Sequence, residues 1–525
     1  MRPLLHGAVC FLLLFPACFS PGDGVPPPPN EIYFPTGLAL DDALVGAAGA
    51  RHLYVANSDF DLQYSSSILA AYDLEQFRSL LDPTQMGVVP RPCNTTLDCQ
   101  GYALGTCDNQ DTPSHVASHF CVGDDLEPCP TGERSEADKL LYPGRCNPID
   151  PVPLITARIG IGAFATDIIY RKRPDSVTGS SDLGRLFLPV RGDATLHWIR
   201  VESDAQNTLD CGEDTAVPGS PCDDGHRAGK KQSESPIQTR MLPEPFGIDA
   251  TADGREIVVT NQTSGALTLF YNPWSESGAS VLLTDEIGGL PLAPVTVAAV
   301  PVDASPQTNP AQPGFLVGYA DAAQIDLVRV DTSLTSIPGA INAASRNYPL
   351  IYLSGTVSIA ADSIGSNSRG IAVDDSVSPA RVFASNRAPP SLLVGALRTT
   401  FDKPDLATDD LPAFTDSVPL NAGPSRVVLG KVRLPDGSLA LRVFVVCFDS
   451  RSIYIYDPNL RQVEAIVRTG RGPYALAIDE ARNLAYVGHF TDSFLGVISL
   501  DQHFPDTYAT MIATIGQPLP PRTSK

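Results

Sequence analysis

The chain has 525 residues, 43% of them apolar, with 42 Gly and 48 Pro. That is enough apolar material for a sizeable core, and the excess of turn formers points to many short strands rather than long helices. Asp and Glu outnumber Lys and Arg by 59 to 37, a net charge of −22, which excludes non-specific nucleic-acid binding through phosphate neutralisation.

The first residues, MRPLLHGAVCFLLLFPACFS, carry a positive start at Arg2 and an apolar run from Leu4 to Phe15. The run is about half the length of a membrane span, so residues 1–17 read as an export signal. FPAC resembles the bacterial lipobox, in which a small residue precedes a Cys. The resemblance implies that Cys18 is the lipidated first residue of the mature protein, with ordinary cleavage nearby as the alternative. Phe19 stands where lipoproteins retained at the inner membrane carry Asp, which implies an outer-membrane lipoprotein, periplasmic or surface-exposed. Residues 18–33 contain SPGDGVPPPPN, an extended tether between bilayer and domain.

From residue 34 one syntax recurs: Pro and Gly, an apolar run, a turn, a second run ending in Asn, a turn, a third run. It is plainest in FPTGLALDD…RHLYVANS…SILAAYDL, in PFGIDATADGREIVVTNQTSGALTLFY and in PYALAIDEARNLAYVGHFTDSFLGVISL. Weaker copies begin at IGAFATDIIY, APVTVAAV, SRGIAVDD and PSRVVLGKV, giving seven. A fourth run precedes the next copy, as in PLITARIG, SVLLTDEIG and VEAIVRTG. Four β-type runs at a period of roughly 50 residues predict an all-β, seven-bladed β-propeller over 34–516, with six or eight blades as alternatives. The chain ends on a run at Tyr508–Ile515, so no exchange of strands between the termini is evident, and 517–525 read as a tail.

LYVANS, IVVTNQ and VFASNR resemble the second strand of the YVTN family of propeller repeats, and PTGLAL, PFGIDA, SRGIAV and PYALAI resemble its first. The resemblance implies that the first strand lines a central channel. It also implies that the loops entering that strand, and the hairpins leaving the second, share the ligand face.

Two cysteine-containing stretches interrupt the repeats. Cys93, Cys99, Cys107, Cys121, Cys129 and Cys146 crowd into residues 90–150 within blade 1. Cys211 and Cys222 lie in 203–235 within blade 2. Even-numbered, dense cysteines in an exported chain predict disulfides, with the pairing of the six left open. Both stretches fall between third and fourth strands, so they are expected together on the face opposite the ligand site. His115 and His119 lack a C-x2-C partner, and no spaced acidic ladder follows Cys211, so no metal or other cofactor is expected. Cys447, in RVFVVCF, reads as a buried thiol.

On the expected ligand face, Asn57, Asn261, Asn386 and His489 occupy matching positions after the second strand. Asn there can serve turn geometry alone, whereas His can bind metal or carry protons. Arg191, Arg369, Arg387, Arg426 and Arg471 lie beside the strand ends of the same face and would form an anion site if they converge. No G-x-S-x-G, H-E-x-x-H, P-loop or C-x-x-C-H occurs, and no catalytic residue is assigned. The expectation is a non-enzymatic envelope propeller that binds a protein, glycan or anionic small molecule. The alternative is a propeller enzyme, lactonase-like or of a quinone- or haem d1-dehydrogenase type, with its site over the channel.

Overall fold

A computed structural model describes residues 27–41, 50–61, 64, 66–80, 95, 106–108, 120–122, 149–178, 182–202, 209–214, 217, 219–230, 240–274, 280–301, 312–332, 348–359, 367–397, 411–505 and 507–516. In the first repeat Pro35–Leu40, His52–Asn57, Ser66–Asp73 and Ile155–Gly162 pair antiparallel in that order. Six further sheets repeat the meander, so the chain is a seven-bladed β-propeller. The inner strands are Pro35–Leu40, Ile169–Lys172, Pro245–Ala250, Pro294–Val300, Ser368–Asp374, Pro424–Arg433 and Pro473–Asp479.

The burial pattern follows from stacking. Second strands such as His52–Asn57, Glu256–Asn261 and Leu484–His489 are buried at every position, because each blade is covered on both faces by its neighbours. Hence their near-continuous apolar runs instead of alternation. Apolar clusters lie between neighbouring blades. Val55, Tyr72, Tyr486 and Val497 join blades 1 and 7, and Phe187, Trp198, Ile257 and Phe270 join blades 2 and 3. Glycines set the closest approach: a Cβ on Gly37 would lie 2.7 Å from Ile168 Cγ2, and one on Gly247 would lie 2.7 Å from the Val295 carbonyl oxygen.

Among the described residues, ring closure uses no exchanged strand. Met511–Ile515 is the outer strand of blade 7, bonded to Phe494–Ser499 of the same blade. Blades 7 and 1 are instead stitched by contacts from both sides. The Phe34 N–H donates to Ser493 Oγ at 3.2 Å, and Arg482 Nη1 donates to the Ala50 carbonyl at 2.6 Å. Ile149, returning from the cysteine-rich segment, runs parallel to Ile515 with backbone bonds to Thr514 and Gly516 of 2.9 Å each.

The two cysteine segments depart from expectation in part. The Cys211–Cys222 disulfide is formed, yet its segment is no appendage of the far face. Leu209–Asp210 and Arg227–Ala228, on either side of it, both pair with the third strand of blade 2 and occupy its outer-strand position. The loop between them lies on the rim, where the Gly160 N–H donates to the Ser220 carbonyl at 2.8 Å and Cys222 N–H to Gly160 at 3.1 Å. Gly160 faces Ile68, next to the mouth-side hairpin of blade 1. An unpaired outer edge offers ladder groups that a passing loop can satisfy. Of the six other cysteines, Cys107 and Cys121 are opposed in the two-stranded ladder Thr106–Asp108 with Phe120–Val122. Cys93, Cys99, Cys129 and Cys146 lie outside the described residues, as do 1–17, Cys18 and 517–525. No helix among the described residues is long and apolar enough to cross a membrane.

Candidate ligand site at the channel mouth

The chain enters six of the seven blades from the mouth through a sharp turn. The residue before the strand has positive φ at Phe34 (45°), Glu244 (59°), Ala293 (56°), Gly423 (78°) and Gly472 (66°), and Phe164 (60°) precedes the bridge Ala165–Val190 in blade 2. Only two of these six are Gly. A left-handed Phe or Glu costs of order 1 kcal/mol or more, and here the turn is imposed by the strands on either side.

Register confirms that the four hairpin positions are equivalent: Asn57 opposes Pro35, Asn261 opposes Pro245, Asn386 opposes Ser368 and His489 opposes Pro473. All four are buried, and their side chains tie down the loop entering the same blade. Asn57 Oδ1 accepts from Tyr33 N–H at 3.0 Å, and Asn386 Oδ1 accepts from Asn367 N–H at 2.8 Å. Asn261 Nδ2 donates to the Leu242 carbonyl at 2.8 Å. His489 Nε2 accepts from Gly470 N–H at 3.1 Å, and its ring stacks on Phe494 at 3.9 Å. None of the four lines the mouth cavity.

Cys447 fills the same position in blade 6, opposite Pro424. It is fully buried, and burial pushes its thiol up to about 12. It should therefore resist alkylation by iodoacetamide at mildly alkaline pH in the native protein and react fully in denaturant, as read by peptide mass. Native labelling at the rate of a free thiol would show that this position opens.

The residue after four of these five positions does face the mouth, namely Ser58, Arg387, Phe448 and Phe490, as does Arg191 after Val190 of blade 2. So do residues near the start of the inner strands, including Phe246, Arg369, Arg426 and Tyr474. Of these, Phe246, Arg369, Arg387, Arg426, Phe448 and Tyr474 line a cavity of about 870 Å³ that runs down the channel along blades 2 to 6, within the range of small-molecule sites.

Three of the five predicted arginines, Arg369, Arg387 and Arg426, line this cavity, and Arg191 lines a smaller pocket that abuts it. Arg471 lines neither; Asp492 holds it, with Nη2 at 2.7 Å from Oδ1. Arg426 of blade 6 reaches Asp167, on the segment entering blade 2, at 2.7 Å, and its guanidinium lies 5.4 Å from the Tyr474 ring centroid. Burial works against the Arg426 charge, but Asp167 and Tyr474 more than offset it and hold its pKa above the ordinary value. Burial likewise lifts the Asp167 carboxyl above the usual range, with Arg426 opposing. Arg387 pairs with Asp449 at 2.7 Å and Arg191 with Glu244.

Arg369 differs. Its Nε donates to Asn367 Oδ1 at 2.7 Å, but it makes no ion pair among the described residues. Burial, and then the neighbouring Arg387, push its pKa below the ordinary value. Asp321 and Asp449 pull on it only from a distance, so a guanidinium held there without an ion pair among the described residues gains from an anion that enters.

The sequence reading missed the aromatic rings of the mouth and the counter-ion Asp167. Phe448 and Phe490 were findable, because each sits one residue beyond the aligned hairpin position.

No family model matches the chain, and no curated protein does. Solved structures that it resembles include a protein from Lactobacillus plantarum, at 12% identity over 84% of this chain and 86% of that one, TM-score 0.41. Others are the periplasmic gluconolactonase of Pseudomonas aeruginosa (11%, 83% and 86%, TM-score 0.42) and hydrazine synthase of Kuenenia stuttgartiensis (9%, 89% and 96%, TM-score 0.45). Identities this low add no residue to the site.

Proposed function

We propose that this chain is an exported propeller of the cell envelope, lipid-anchored through Cys18, that binds a small anionic ligand at its channel mouth without turning it over. The observation that carries the reading is Arg369, a half-buried guanidinium at the cavity mouth without an ion pair among the described residues. The other arginines of the mouth are neutralised by Asp167, Asp449 and Glu244, so they shape the site while Arg369 supplies the unspent charge. Binding without turnover is supported by the location of His489, which is buried against Phe494 and away from the cavity.

Calorimetric titration of the purified full chain with short carboxylates tests this. Arg369→Gln is expected to weaken binding about tenfold to a hundredfold, the worth of a charge-assisted hydrogen bond, while the fold is kept. Equal affinity of variant and parent would remove the site. Intact mass of the protein extracted from its membrane tests the anchor, and an unmodified Cys18 would overturn it.

The enzyme reading rests on one observation, the raised pKa of Asp167 at the mouth, which is the direction wanted in a general acid or base. Hydrolysis of a lactone that disappears in Asp167→Asn, with binding retained, would favour it.

A further inference from the structure

Beside the arginine-lined cavity lies a pocket of about 180 Å³ walled by Phe60, Phe164, Phe246, Phe448, Tyr474 and Phe490. It was not expected from the sequence. Phe246, Phe448 and Tyr474 line both spaces, so the two adjoin. We propose that this pocket is the second half of the ligand site and takes a single aromatic ring, so that the ligand is an aryl-alkyl monocarboxylate. The inference rests on the anion-binding reading above and names the class of anion.

Size is the first argument. An apolar cavity of about 150 Å³ is enough for benzene, so 180 Å³ holds one ring and little more. The geometry of the walls is the second. Phe60 meets Phe164 at 5.8 Å and 89°, and Phe490 at 5.0 Å and 77°. Phe490 in turn lies 6.5 Å from Phe448 and 6.4 Å from Tyr474, tilted by 51° and 53°. Rings set edge to face present both edges and faces to a guest, the arrangement that suits another flat ring.

Exposure is the third argument. Phe60 is 52% exposed, although the rings of Phe34, Phe164 and Phe490 already lie against it, and a guest ring in the pocket would cover apolar surface now left to water.

Charge supplies the fourth. The chain carries a net charge of −22, and its overall field opposes the approach of polyanions such as phosphate esters. A monoanion meets less of that opposition, and an apolar body gives it affinity that does not depend on charge. The carboxylate would sit at Arg369, with Arg387 beside it, and the ring would lie across Tyr474 in the adjoining pocket.

The test is calorimetric titration of the full chain with 3-phenylpropionate, propionate, hexanoate and inorganic phosphate, on the parent, Phe60→Ala and Arg369→Gln. The expected result is that 3-phenylpropionate binds at least about tenfold tighter than propionate, the return on burying one ring. Phe60→Ala should narrow that gap to threefold or less without changing the affinity for propionate, and Arg369→Gln should weaken both acids. Because Phe60 stands half in solvent, its removal leaves the blades packed. If 3-phenylpropionate gains nothing over propionate while both still depend on Arg369, the ring pocket is overturned and the anion site stands. If hexanoate matches 3-phenylpropionate, the pocket takes alkyl chains and the aromatic class is overturned. If phosphate binds best, the monocarboxylate class is overturned. If no probe binds, the anion-binding reading falls as well.

Discussion

Arg185→Met is expected to destabilise the protein by about 3–5 kcal/mol, the range for breaking a buried charged pair from one side. Arg185 is fully buried in the second strand of blade 2, between Trp198 and Trp274, with its guanidinium 4.7 and 5.1 Å from their ring centroids. Its Nε lies 3.2 Å from Asp182 Oδ2, and its Nη1 donates to Asn272 Oδ1 of blade 3 at 2.5 Å. Methionine keeps some of the volume but removes the donor to the Asn272 amide oxygen and the positive charge beside Asp182. Both tryptophans of the chain flank this one side chain, so intrinsic fluorescence reads the blade 2–3 interface directly. In urea unfolding the variant should show an earlier fluorescence midpoint. Arg185→Lys should recover little, because an ammonium cannot fork to two partners while lying flat between rings. A loss of less than about 1 kcal/mol, the size of a surface pair, would mean that the interface is held by its apolar cluster alone.

Gly370→Ala is expected to be the second most damaging change and to reach the ligand site as well. A Cβ at this position would lie 2.6 Å from Val427 N and 2.9 Å from Arg426 Cα, both backbone atoms of the next inner strand. No side-chain rotation relieves such a contact, so blades 5 and 6 must separate. Overpacking of this kind costs about 1–3 kcal/mol, and Arg369 and Arg426 stand on the two strands pushed apart. The thermal midpoint should fall and carboxylate binding should weaken together. Gly288→Ala is the control: nothing lies within 4 Å of its added methyl, and a change within about 0.5 kcal/mol is expected. Unchanged stability in Gly370→Ala would show that the inner strands have slack, and the close approach would then not define the mouth.

Gly370 also shows how far the sequence could be read. Its place in SRGIAV, like Gly37 in PTGLAL and Gly247 in PFGIDA, was part of the repeat that revealed the blades. The reason for glycine there is contact with the following blade, which no single repeat contains. The left-handed turns before Phe34–Pro35, Phe164–Ala165 and Ala293–Pro294 were illegible for the opposite reason: a non-Gly residue carries them. Asn57, Asn261 and Asn386 were read as equivalent from spacing alone, and register bears that out. Their bonds to the entering loops could not be read, because the partners lie 19 to 24 residues away in sequence.

The sequence by itself determined that the chain is a ring of four-stranded blades, with seven counted and six or eight left open, where most of the strands lie and which hairpins correspond. Those properties are written locally, in apolar runs bounded by turn residues at a fixed period. The tertiary structure decided which arginines face the cavity and which of them makes no ion pair among the described residues. That depends on counter-ions brought from far along the chain: Asp167 reaches Arg426 across non-neighbouring blades, Asp449 takes Arg387, Glu244 takes Arg191 and Asp492 takes Arg471. It also gathered six rings from separate stretches of the chain into one pocket. Convergence of this sort is set by closure of the ring, since only the closed ring brings strand starts hundreds of residues apart to one mouth.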